Sequence, residues 1–173
     1  MSVTISDTLT PEGKRFMKEL QELAKLEVQI GFHREDDIKG AKREDGTIVD
    51  TKTNICDIAA WNEFGTTSKL GNKHIPARPF LKQSVENNRD EINQMLAEKK
   101  KEIMSGVSAE QVLKGIGAFQ ADLIQKEISE GSFKANKEYT IEKKGKKKTP
   151  VKPLIDTSRM LQSVHYKIKP RGT

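Results

Sequence analysis

The 173-residue sequence is poor in the residues that usually advertise chemistry: one cysteine, six prolines, three histidines, and nine aromatics made up of six Phe, two Tyr and one Trp. A lone Cys56 forbids an intramolecular disulfide, and its apolar-periodic surroundings read it as a small core residue. Apolar runs are far shorter than the ~18 to 20 residues needed to cross a bilayer, so a soluble chain with no membrane partner is expected. The opening Met1-Ser2-Val3-Thr4-Ile5-Ser6-Asp7 has no basic segment followed by an apolar one, so no secretory signal is expected and assembly in the cytoplasm is the default.

A uniformly basic surface is also missing. The net charge is +6, from 31 Lys and Arg against 25 Asp and Glu. Residues 134–152 hold eight Lys and two Glu, a net of +6 in themselves. The stretch before them sums to −3 and the stretch after them to +3. The basic character is therefore local and C-terminal. Length suits one domain over 1–173, with an exposed loop or hairpin at 33–53 and a basic loop or hairpin insertion at 134–152.

Local signals define the elements. Thr10-Pro11 reads as an N-cap followed by proline at the first helical position, predicting a helix from Pro11 to Lys25 with Phe16, Leu20 and Leu23 on one stripe. Val28, Ile30 and Phe32 alternate with polar residues, the period of a half-buried strand, and Gly31 marks a bulge or a close backbone approach. Asn54 is placed to cap a short helix carrying Ile55, Ile58, Ala59 and Asn62 on one face, with Gly65 to end it. Pro79 opens a long helix to Ser105, striped by Leu81, Val85, Ile92, Met95, Leu96 and Ile103. Ser108 and Gln111 resemble a capping box for a further helix ending at Gly131, in which Gly115 and Gly117 permit close packing or a bend. Residues 139–142 and 149–151 could form two short strands around a lysine turn, or the segment is disordered. Asp156 or Thr157 caps a short helix through Arg159 to Ser163, and Val164 to Ile168 alternate as a last strand, expected to pair with the first. The fold class expected is α+β: a small antiparallel sheet packed against two or three amphipathic helices, with long exposed loops.

No catalytic constellation emerges. His33, His74 and His165 have no Cys or carboxylate at ligand spacing, and neither a phosphate-cradling glycine loop nor a nucleophile elbow occurs. No cofactor, metal or enzymatic activity is expected. Two features carry more. Lys143, Lys144, Lys146, Lys147 and Lys148 could neutralise phosphates of a nucleic acid without reading its sequence, or form a solvated, self-repelling loop tip. Trp61-Asn62-Glu63-Phe64-Gly65, followed by Ile75-Pro76-Ala77-Arg78-Pro79-Phe80, joins a helix end to a rigid proline segment. An ion pair between Glu63 and Arg78 is expected to lock it, with Phe64 and Phe80 in the core.

These residues resemble a known family. Asn62, Glu63, Phe64 and Gly65, then Ile75, Pro76, Arg78, Pro79 and Phe80, then Pro153-Leu154-Ile155 with Asp156 and Thr157, are similar to the signature of the tail-completion or head-tail joining proteins of long-tailed bacteriophages. These are minor tail and virion morphogenesis proteins. The resemblance implies a structural virion protein, assembled in the host cytoplasm and located in the neck or tail. It would form a homo-oligomeric ring of six that completes the tail or joins it to the connector. Implied partners are connector or adaptor proteins, tail-tube or tail-terminator proteins, and packaged DNA held non-specifically. The competing expectation is a free basic nucleic-acid-binding accessory protein.

Overall fold

The computed structural model describes residues 9–36, 53–67, 75–136, 141–142, 153–154 and 159–172. Helix α1 spans Pro11–Lys25, with the Thr10 hydroxyl accepting from the Gly13 N–H. Strand β1, Leu26–Gly31, follows without a loop, and a 3-10 turn occupies Arg34–Asp36. Helix α2 is Ile55–Phe64, α3 is Phe80–Glu86, α4 is Arg89–Met104, α5 is Ala109–Glu130 and α6 is Arg159–Ser163. Strand β2, His165–Pro170, closes the order.

The α+β expectation holds. Strands β1 and β2 pair antiparallel, with Val28 opposite Ile168 and Ile30 opposite Tyr166. On the other face Glu27 lies opposite Lys169, which places opposite charges across the strands, and Gln29 lies opposite Lys167. Helix α5 is the axis of the molecule and packs against both strands, α1, α3 and α4. Its two mid-helix glycines serve close packing. A Cβ on Gly117 would lie 2.5 Å from Cγ of Tyr166, and one on Gly115 would lie 2.7 Å from Cε of Lys99. Gly31 requires another account: with φ at +133° and nothing within 4 Å of an added Cβ, conformation and not crowding calls for glycine.

Two apolar clusters flank α5. The larger gathers Ile55 and Ala59 of α2, Phe80 of α3, Ala121, Ile124 and Ile128 of α5, and Met160 and Val164. Phe32 lies beyond the end of β1 yet packs on this cluster, its ring edge-on to Phe80 at 5.9 Å. The smaller joins Ile103, Ala109 and Val112 to Phe16, Leu20 and Leu23 of α1.

Three expectations fail. The helix from Pro79 to Ser105 is two helices, broken at Asn87-Asn88, where the Asn88 side-chain amide donates to the Ser84 carbonyl. The buried positions differ accordingly: Phe80, Ser84, Met95 and Ile103 face inward, whereas Val85 and Leu96 are exposed. Ile141 and Glu142, expected in a strand or in disorder, are helical. The remainder of the 33–53 segment beyond the 3-10 turn, and of the 134–152 segment beyond Asn136 and these two residues, lies outside the described residues.

Candidate interaction site

The two signature blocks meet at the end of α2. Gly65 terminates the helix with φ at +74°, and a Cβ there would stand 2.9 Å from both the Ala77 nitrogen and the Ile75 oxygen. Both conformation and space therefore demand glycine. The Thr66 N–H donates to the Ile75 carbonyl at 2.9 Å, and the Ile75 N–H to the Thr66 hydroxyl at 3.2 Å. This bridge closes the excursion between the blocks and sets Pro76 and Ala77 against the helix end.

Glu63 and Arg78 are both buried, at 7% and 5% exposure, but they do not pair. The Glu63 carboxylate accepts from the Leu81 N–H at 2.9 Å and the Lys82 N–H at 3.1 Å. It thus caps the start of α3, where Pro79 has no side chain able to do so. Arg78 turns the other way. Its Nε donates to the Lys134 carbonyl at 3.0 Å, Nη1 to Asn62 Oδ1 at 3.1 Å and Nη2 to Asn136 Oδ1 at 3.0 Å. Its backbone N–H donates to the Asn62 carbonyl at 2.7 Å. Among the described residues no carboxylate reaches the guanidinium.

The expected ion pair is therefore replaced by two separate charge-to-helix contacts. An anion sits at the positive N-terminal end of α3 and a cation at the negative C-terminal end of α2, each placement favoured by the helix dipole. Burial lowers the pKa of Arg78, yet a guanidinium keeps its proton at ordinary pH. Asn62 mediates between the elements: its amide nitrogen donates to the Ile58 carbonyl while its oxygen receives Arg78. The segment following α5 is thereby tied to α2 and α3.

Phe80 is wholly buried as expected, but Phe64 is not in the core: 79% of its surface is exposed. The reason is helical geometry. The inward stripe of α2 runs Ile55, Ala59 and Glu63, which leaves Trp61 and Phe64, three residues apart, as neighbours on the outside. Trp61 is 44% exposed. Of the third block, Leu154 packs on the larger cluster. Asp156 and Thr157, and Lys143, Lys144, Lys146, Lys147 and Lys148, lie outside the described residues.

Sequence reasoning did not single out Asn136 and Lys134, which complete the Arg78 site, because nothing local marks residues that serve a guanidinium more than fifty positions away. His33 and His165 do meet, with ring centroids 4.5 Å apart. Among the described residues no group of three or more His, Cys, Asp or Glu side chains is arranged to hold a metal ion, and no helix is long and apolar enough to cross a membrane. Comparison with protein-family models, curated proteins and solved structures finds no match.

Proposed function

We propose that this chain is a non-enzymatic structural subunit that assembles into a ring at the neck or tail end of a long-tailed phage particle, completing the tail or joining it to the connector. The observation that carries the reading is the exposure of Phe64. Asn62, Glu63, Gly65, Arg78 and Phe80 are consumed by the internal clamp, whereas Phe64 presents 79% of its surface, with Trp61 beside it at 44%. Adjacent exposed aromatics on one helix face suit a protein contact. The clamp behind them holds their helix in place, so docking sacrifices little conformational freedom.

The resemblance of the signature blocks supplies the setting: a ring of six, contacting connector or adaptor and tail-tube or tail-terminator proteins around the DNA passage. The lysine run then steers the subunit toward DNA or an acidic neighbouring surface. Mass spectrometry of purified virions tests the reading. A few to a dozen copies per particle are expected. Absence from the particle, together with steeply salt-dependent DNA binding by the isolated chain, would replace it with the free accessory protein.

A further inference from the structure

Among the described residues the sheet ends after two strands, which leaves each strand with an outer edge. The Arg171 N–H donates to the Lys25 carbonyl at 2.7 Å, so Lys25 and Arg171 form a hydrogen-bonded pair just beyond the ladder. In an antiparallel ladder such pairs alternate with non-hydrogen-bonded ones. Glu27, Gln29 and Gly31 therefore turn their backbone groups toward β2, and Lys169, Lys167 and His165 turn theirs toward β1. The N–H and C=O groups of Val28 and Ile30 point outward past β1, and those of Tyr166 and Ile168 outward past β2. Among the described residues no backbone group pairs with them. Pro170, which has no N–H, blunts only the end of the β2 edge.

Such an edge accepts a further strand, and charge selects which one. The only charged residue of β1 is Glu27, whereas β2 carries Lys167 and Lys169. Two β2 edges brought together would crowd lysine against lysine, and a second β1 would bring Glu27 no cation. A β1 edge against a β2 edge sets Glu27 opposite Lys169, as the chain's own ladder already does. In that same register Val28 meets Ile168 and Ile30 meets Tyr166, on the face where Tyr166 lies against Gly117 of α5. Both faces of the sheet then continue unbroken across the contact.

We propose that β1 of one copy pairs antiparallel with β2 of a second copy, in the register of the internal ladder, so that one sheet runs from subunit to subunit. The new hydrogen bonds join Val28 to Ile168 and Ile30 to Tyr166 of the neighbouring copy. The contact is head-to-tail, so each subunit keeps one edge of each kind for a further neighbour, and repetition closes a ring where the rotation permits. This deepens the ring reading above and rests on it.

Hydrogen exchange on the parent chain, before and after assembly, tests the contact. The amides of Val28, Ile30, Tyr166 and Ile168 are expected to exchange freely in the monomer and at least ~10-fold more slowly in the assembly. Those of Glu27, Gln29, Lys167 and Lys169 are expected to be protected in both. Charge exchange supplies a second measurement. Glu27→Lys and Lys169→Glu each place like charges at the contact, and each variant alone is expected to self-associate about fivefold more weakly than the parent in sedimentation. An equal mixture is expected to recover parental association, because each variant then meets its complementary charge on the other. The internal pair at 27 and 169 stays like-charged in both variants however they are mixed, so recovery reports on contact between copies alone. Assembly that leaves the four outward amides exchanging freely overturns the contact, and so does protection already present in the monomer. Variants that associate as the parent does, or a mixture no stronger than its components, overturn it as well. So does a parent that remains monomeric at millimolar concentration. The virion copy number decides the ring reading separately.

Discussion

Arg78 is a buried cation whose three described side-chain partners are neutral oxygens, so its contribution lies in the acceptors it satisfies and the elements it ties together. Replacing Arg78 with Met leaves Asn62 Oδ1, Asn136 Oδ1 and the Lys134 carbonyl without that donor. At about 1 kcal/mol for each of these part-buried hydrogen bonds, a loss of up to ~3 kcal/mol in urea denaturation is expected. Arg78→Lys should recover only part, since an ammonium lacks the planar fork that reaches three separated acceptors. A second residue-scale expectation concerns His33, which is buried with Nε2 lacking a hydrogen-bond partner among the described residues. Desolvation first, and His165 second, lower its pKa from the ordinary 6.5. The unfolded chain then binds the proton more readily than the folded one. The stability owed to neutral His33 is complete above about pH 6.5 and falls as pH drops from there toward the depressed folded value. The urea midpoint should decline between pH 7 and pH 5, and His33→Leu should reduce that decline.

At the scale of elements, the two glycines of α5 make opposite predictions. Gly117→Ala drives a Cβ into the Tyr166 ring on the paired strand and is expected to cost ~1 to 3 kcal/mol. Gly115→Ala meets only the flexible end of Lys99, which can swing aside, so the better helix propensity of alanine should give a gain of up to ~1 kcal/mol. Thermal melts of the two variants should move in opposite directions. Helix ends were legible in sequence where the cap is local. Thr10, Asn54 and Ser108 each accept from an N–H two or three residues on. The break between α3 and α4 was not legible, because Leu81, Val85, Ile92 and Met95 imitate one stripe. What divides them is the Asn88 side chain taking the Ser84 carbonyl and the separate inward faces of the two helices.

For the molecule as a whole, α5 contributes Ile124 and Ile128 to one cluster and Val112 to the other. Loss of either cluster exposes the same helix, so unfolding should be cooperative. Fluorescence of Trp61, the single tryptophan, which reports on α2, and far-UV ellipticity should give coincident melting transitions. Truncating wholly buried Phe80 to Ala should lower both together, by ~3 to 5 kcal/mol.

Sequence alone determined the α+β class, the pairing of the first and last strands, and the placement of most helix ends, because periodicity and caps act within a few residues. It also marked Asn62 to Phe80 as the region of interest. Only tertiary structure decided what those residues do. Glu63 and Arg78 look like an ion pair on paper, but each lies nearer a helix end of the sign it needs, and both are satisfied there without the other. Phe64 looks like core by composition, yet the turn of α2 that buries Glu63 sends it outward. Burial depends on which side of a helix faces the rest of the chain, and that is settled by packing among elements distant in sequence.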